Sequence, residues 1–465
     1  MATSKNKGLH ISTRSFLTAI AVIFCLMALT YVLTLTVPAG EYERVPDAEG
    51  NLVVNTDGAF TYVEGGIPFW KWILSPILVL GASGSGALIA VIAFLLVIGG
   101  IFNALEKCGL IRYMLDKLRG RFGRMRYRLL AAMTFFFMAL GAAIGSFEEC
   151  VPLVPIVVAL SLHLGWDALV GIGMSLLAVG CGFASGVCNP FTVGVAQELA
   201  NLPMFSGVWL RLVAFALIYL LLLGFLYAYA KRVERPISEQ ADAFIAQDAK
   251  MDRGLVAFAS ILGAGILIVL CSAFFPLLQD YTMIIVAVMF LVAGITAVLL
   301  CGGKRRLLPD FAAGLGEILP AVLMILMASS IKYTLEEAKV MDTLLHTVLG
   351  ATKGLSPALV VLLIYLIVLV MNFFIPSGSA KAFMLIPLIL PIAAAFDISA
   401  QLCVLAFAFG DGFSNVFYPT NPALLISLGL SDTSYGKWFR FSWKFQGLNL
   451  VLTALILLFG LLVGY

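Results

Sequence analysis

Two adjacent glutamates, Glu148 and Glu149, stand in GSFEECVP (145–152) with apolar runs on both sides. An ionised side chain at the centre of a bilayer costs about 2.5–3.5 kcal/mol even on lenient scales. Neighbouring carboxylates also repel, so one of them tends to hold a proton. Such a pair calls for a cation: a coupling ion, a proton, an internal lysine or a cationic substrate. At an aqueous surface the two acids would merely be solvated. A second set lies in IPSGSAK (375–381). Ser377, Gly378 and Ser379 are small and permit close backbone approach. They precede what reads as the N-terminus of a half-helix, where main-chain N–H groups favour a carboxylate. Capping by the two serines is compatible with that use. Lys381 follows one turn later, placed either to bind a substrate carboxylate or to pair with an acid. Asp411, in GDGFSN, is the third deep acid. Ser146 beside the glutamates, and Asn189, Asn415, Thr420 and Asn421 at two further polar interruptions, complete the candidate substrate-binding set. Sodium sites are expected, if anywhere, near Glu148, Glu149, Asn189 and Asn421. His10, His163 and His346 read as surface or interfacial residues without a role.

These residues need elements to hold them at depth. The 465 residues are 62% hydrophobic and 12% charged, with mean hydropathy +1.04. A soluble domain carries roughly twice that charge. Apolar runs of about 20 residues recur along the chain, as in a polytopic helical membrane protein. Barrel strands would instead be short and alternating. The first run, 16–37, is longer than a signal-peptide core and reads as a retained helix. The eight cysteines form no CxxC, which points away from a disulfide framework or zinc site.

Charge sets the orientation. The segment 39–69 carries Glu41, Glu43, Asp47, Glu49, Asp57 and Glu64 against Arg44 alone, whereas 107–128 is dense in Lys and Arg. Basic loops stay cytoplasmic. The N-terminus and 107–128 are therefore expected inside, and 39–69 outside, in an inner (plasma) membrane. The stretch 129–163, interrupted at 145–149, is too short for two spans and reads as a re-entrant hairpin. Non-helical backbone at membrane depth requires surrounding protein or a water-filled cavity.

The same order of elements recurs: a span, an amphipathic segment, a broken hairpin, a span with a polar interruption, and a closing span. GFASGVCNP (182–190) and GFSNVFYPTNP (412–422) each end in Asn-Pro, about 230 residues apart, as are the two hairpin tips. The expected division is 1–81 (first helix and external segment), 82–231 (repeat one, with hairpin 128–164 and broken helix 167–200), 232–310 (linker and two helices) and 311–465 (repeat two, with hairpin 356–396 and broken helix 400–430). The charge pattern inverts one repeat relative to the other. The fold class is thus an all-α polytopic membrane protein with two inverted repeats, the arrangement of secondary transporters with a midplane site.

With GSFEECVPLVP, GFASGVCNPF, PSGSAKAFMLIPLILP and GDGFSNVFYPTNP in hand, the chain resembles the ion transporter superfamily. Within it the chain is most similar to the anaerobic C4-dicarboxylate carrier family, in particular the branch with arginine/ornithine antiporters. The resemblance implies an elevator mechanism, in which hairpins and broken helices move past a scaffold that forms a homodimer.

Two substrates fit. A basic amino acid would dock its carboxylate at Ser377–Ser379 and its cationic groups at Glu148, Glu149 or Asp411. A C4-dicarboxylate would need Na⁺ or H⁺ at the acids and help from Lys381. The number of deep acids favours the first. An enzyme is disfavoured: no nucleophile–His pair or HExxH appears. A channel would need pore-lining polar stripes, and no GxxxxGK[ST] supports ATP coupling within this chain. The expected partners are a small solute and the bilayer, not nucleic acid, with no cofactor beyond Na⁺ or H⁺ as coupling ion.

Overall fold

The computed structural model describes residues 13–46, 52–54, 60–82, 85–122, 125–145, 147–203, 205–235, 248–272, 282–349 and 355–465. His10 and Ser146 lie outside the described residues, as do the side chains of Glu148 and Glu149. Among the described residues six helices are long and apolar enough to cross a membrane: Ala168–Ser185, Val208–Val233, Leu307–Glu337, Pro357–Phe374, Gly378–Ala395 and Tyr435–Leu462. Ile23–Thr36, Cys150–His163 and Ala287–Leu300 are shorter apolar helices.

Helices dominate, but not throughout, and the all-α expectation needs one correction. Gly40–Tyr42 pairs antiparallel with Phe60–Tyr62, and Arg44–Pro46 with Leu52–Val54. Strands of three residues are too short to display a period of two, although Tyr42, Val45, Val53, Val54, Phe60 and Tyr62 have the β-branched or aromatic character that strands favour. The basic 107–128 segment is not simply a loop: Leu110–Phe122 is a helix.

The helices pack in two groups. Thr13–Thr36, Ser85–Lys107, Ala249–Ser272, Thr282–Leu300 and Leu307–Glu337 pack on one another. In the second group Arg126–Ile144 lies on Ala178–Ser185, which lies on Ala400–Asn415, which lies on Pro357–Phe374. Val208–Val233 and Tyr435–Leu462 pack together against this second group. Ser85–Lys107 and Leu307–Glu337, far apart in sequence, are close partners in space. Lipid tails are as apolar as leucine, so helix association here relies on close packing of small residues. Gly182 illustrates this, since a Cβ there would stand 1.8 Å from the carbonyl oxygen of Met138.

The final helix also satisfies backbone that an interruption frees. Helix Ala400–Asn415 stops, and the chain resumes as Pro422–Leu430. Trp438 Nε1 donates to the Val416 carbonyl at 2.8 Å, Tyr435 Oη to Phe417 at 2.9 Å and Gln446 Nε2 to Phe413 at 3.1 Å. An unpaired carbonyl away from water costs several kcal/mol, and these three side chains satisfy carbonyls in and beside the break.

Candidate functional site

Four interruptions position the site. Helix Arg126–Ile144 ends at Gly145, whose φ of 71° is left-handed and suits glycine at this position. A short 3₁₀ turn, Glu148–Leu153, leads into helix Val154–His163. The carboxylates of the opening motif therefore sit on backbone that is neither regular α-helix nor open loop. The second interruption follows Ala178–Ser185, which ends at Gly186 (φ 56°). Asn189 Oδ1 then accepts from the Thr192 amide at 3.3 Å. These two interruptions touch: the Cys188 amide donates to the Ala142 carbonyl at 3.0 Å, and a Cβ on Gly145 would stand 1.9 Å from Asn189 Oδ1.

The third interruption is shorter than its sequence motif. Helix Pro357–Phe374 stops and Gly378–Ala395 begins after only Ile375, Pro376 and Ser377. Pro376 lacks an N–H and restricts the residue before it, which explains the stop. The fourth interruption restarts at Pro422, in the first helical position, behind Asn421, whose Oδ1 caps the Leu424 amide at 3.3 Å.

A buried polar network joins the last two. Lys381 and Asp411 have fully buried side chains, and Lys381 Nζ lies 2.5 Å from Asp411 Oδ1. The ammonium also donates to the Ile375 carbonyl at 3.0 Å and to Asn372 Oδ1. Asn372 Nδ2 in turn donates to the Asp411 carbonyl at 3.0 Å, Ser414 Oγ at 2.6 Å and Asn415 Oδ1 at 2.9 Å. Asn421 Nδ2 reaches the same Asn415 oxygen at 3.1 Å. Of the two roles open to Lys381 in the sequence, the structure places it in an ion pair. A buried pair of this kind stands only because further hydrogen bonds complete it.

Polar oxygens remain over. Asp411 Oδ2, Thr192 Oγ1 and Thr420 Oγ1 are buried without a hydrogen-bond partner. Two of these residues flank Gly378: a Cβ there would stand 2.5 Å from Thr192 Cγ2 and 2.7 Å from Asp411 Oδ2. Ser377 is exposed and Ser379 half-buried, and Ser377 makes no side-chain capping bond to the helix it precedes. The first turn of Gly378–Ala395 thus offers main-chain N–H groups, with unpartnered oxygens alongside.

The tips are shared between the halves. The turn Glu148–Leu153 packs on Pro422–Leu430, and Gly378–Ala395 packs on Pro190–Gly194 and Val195–Leu199. Ser377, Gly378, Ser379, Lys381, Asp411, Asn415, Thr420 and Asn421 therefore form one cluster, with Asn189 beside the other tip. Sequence reasoning passed over Asn372, Ser414 and Thr192. Asn372, a lone amide in VLVMNFFIP four residues before a proline, carried a usable signal. Arg211, also fully buried, donates to the Phe205 and Ser206 carbonyls at 3.0 and 2.8 Å and organises the loop before its own helix.

The model of the C4-dicarboxylate anaerobic carrier family matches residues 16–462. A protein of Escherichia coli K12 named "Putative basic amino acid antiporter YfcC" is 30% identical over 415 residues, covering 82% of this chain and 80% of its own. An uncharacterized protein of Haemophilus influenzae Rd is 22% identical over 386 residues, covering 79% of this chain and 74% of its own. The solved YdaH transporter of Alcanivorax borkumensis aligns with 97% of this chain and 99% of its own, at 16% identity and a TM-score of 0.45, a superposition too loose to carry an inference.

Proposed function

Because the chain belongs to the C4-dicarboxylate anaerobic carrier family, we propose that this multi-pass membrane carrier is a secondary active antiporter of basic amino acids, exchanging an arginine-like for an ornithine-like substrate. The observation that carries this reading is the charge balance at the four interruptions. Among their described residues Lys381 is the one cation, and Asp411 Oδ1 already neutralises it. A dicarboxylate would meet no unpaired base there. A cationic substrate would find its counter-charges in Glu148 and Glu149 on the opposite tip; Asp411, whose one charge already answers Lys381, offers Oδ2 as a hydrogen-bond acceptor only. Its own carboxylate would take the N–H groups at the start of Gly378–Ala395, with Ser377 and Ser379 beside it. Thr420, Asn421, Asn415 and Asn189 line the remaining interruptions, and Ser146 belongs to the same set. The name borne by the Escherichia coli relative points the same way.

The two helix groups of the fold suit an elevator: the hairpins and broken helices travel as one body, and the other group stays as a scaffold and homodimer interface. The two halves are inverted repeats in the inner membrane, with the N-terminus cytoplasmic. A coupling Na⁺ or H⁺, where one is used, belongs at the Glu148–Glu149 tip near Asn189. The test is counterflow in liposomes. Vesicles loaded with ornithine should accumulate labelled arginine, and external lysine or ornithine should compete where succinate and fumarate do not. Competition by dicarboxylates alone would replace this reading with Na⁺- or H⁺-coupled dicarboxylate transport.

A further inference from the structure

We propose that Lys381 is a tethered coupling cation: its ammonium permanently fills a monovalent-cation site at the second hairpin, so that this site takes no free ion in the native chain. The argument rests on the ligands. Nζ is held by a carboxylate oxygen (Asp411 Oδ1, 2.5 Å), a main-chain carbonyl (Ile375, 3.0 Å) and a side-chain amide oxygen (Asn372 Oδ1). Carboxylate, carbonyl and amide oxygens are the donor set of a hard cation. Ile375 follows the last residue of Pro357–Phe374, where the helix dipole presents its negative end. The ligands come from the end of one half-helix, from the interruption itself and from the facing helix Ala400–Asn415. This is how a bound ion would lock a hairpin tip to its neighbour.

Lys381 reaches this point from beyond the interruption. Its amide bonds the Ser377 carbonyl at 3.1 Å, in the first turn of Gly378–Ala395. Its side chain then returns to Ile375, six residues back. The carboxylate, the carbonyl and the oriented amide oxygen together take up all three N–H donors of the ammonium, so the oxygen cage is complete around Nζ. Asn372 is itself oriented by three acceptors on its Nδ2, so its oxygen is committed to the ammonium. The side chain is fully buried, which leaves no face of the ammonium for an incoming anion.

Removing the tether should convert the site to one that takes a free cation. Lys381→Ala keeps the three oxygens and opens the volume of the stem. Purified Lys381→Ala and wild type are melted at equal ionic strength in choline, sodium, ammonium and ethylammonium chloride. The readout is the response of the variant beyond that of the wild type. Lys381→Ala should melt several degrees below wild type in choline and recover, saturably, in ethylammonium, ammonium or sodium. Lys381→Met/Asp411→Asn, which fills the stem volume and removes both charges, should show no response beyond wild type. If Lys381→Ala folds only when extracted in one of the small cations, that supports the proposal equally. Identical cation responses in Lys381→Ala and wild type, or a variant that no cation recovers, would overturn it. No substrate enters the test, so its outcome is independent of the antiporter reading.

Discussion

Gly378 and Asp411 face each other across the second hairpin tip, so closely that a Cβ on Gly378 would stand 2.7 Å from Asp411 Oδ2. The same Cβ would meet Thr192 Cγ2 at 2.5 Å. Three segments far apart in sequence therefore share one gap, and the absence of a side chain at 378 keeps it open. Gly378→Ala should close it. Overpacking of this kind costs about 1–3 kcal/mol, and binding should suffer more than folding because the displaced atom is the unpartnered carboxylate oxygen. We expect uptake to fall at least about tenfold, equivalent to roughly 1.4 kcal/mol. Adding Thr192→Ser, which removes the clashing methyl and keeps the hydroxyl, should recover part of the melting temperature. If the double variant melts below the single one, the two side chains do not share the gap.

Asn372 is the hub of the buried network, with Lys381, the Asp411 carbonyl, Ser414 and Asn415 all bound to its one amide. Asn372→Leu is nearly isosteric and leaves these groups short of partners. Each orphaned buried group costs about 1–3 kcal/mol, although hydrogen bonds in membrane proteins average nearer 0.6 kcal/mol. We expect a loss of about 2–3 kcal/mol in detergent-melting stability. In a cycle with Asn415→Leu the losses should fall short of additivity, because both variants break the 2.9 Å bond between the two side chains. Additive losses would mean that the amide acts through Lys381 alone.

The interruptions were legible in the sequence because their residues are local punctuation. Asn-Pro sets a cap followed by a first helical residue, and Pro-Ser-Gly stops one helix and begins the next. The charge of Lys381 and Asp411 inside apolar runs was equally visible. Their pairing was not, since it depends on how Gly378–Ala395 leans on Ala400–Asn415. Asn372 is visible as a lone amide four residues before Pro376, but one polar residue does not alter the periodicity of a span, and its partners lie on another helix. The short strand pairs escaped notice for the opposite reason: three-residue strands carry no period, and their order comes from docking onto Met341–Leu349.

That docking is itself testable. Asp342 is buried; its Oδ1 accepts from Arg44 Nη2 at 2.9 Å and its Oδ2 from the Tyr42 amide at 3.0 Å. The ring of His346, one turn on, stacks on Phe60 with centroids 4.1 Å apart and an interplanar angle of 6°. Burial and the Asp342 carboxylate both push the Tyr42 phenol above its ordinary pKa, so its hydroxyl stays protonated as a partner for His346 at 2.8 Å. Asp342→Ala removes both acceptors and should release residues 40–62 locally, at a cost of about 1–3 kcal/mol. Amide hydrogen exchange should quicken at Gly40–Tyr42 and Phe60–Tyr62 and remain unchanged at Ala400–Asn415. Unchanged exchange in the strands would mean that the aromatic contacts hold the segment without the carboxylate.

The paired glutamates give the sharpest test of the substrate reading. Glu148→Gln and Glu149→Gln keep size and hydrogen-bonding capacity while removing charge. If the two acids serve a substrate or a coupling ion and not a partner within the protein, removing their charge costs no pairing energy, so both variants should express well and neither should melt lower than wild type. Uptake should be lost at one position at least, and Glu149 is the expected one, because Glu148 lies nearer the turn that Gly145 opens. The form of the loss separates the two substrates. With a basic amino acid, affinity for arginine should fall at constant pH and constant ion composition, because a substrate contact has gone. With a dicarboxylate, the dependence on Na⁺ or pH should change while an ion-independent affinity for the anion persists. Normal uptake by both single variants and by the double variant would make these acids solvated turn residues and would overturn the cationic-substrate reading, because the charge of Asp411 is already matched by Lys381.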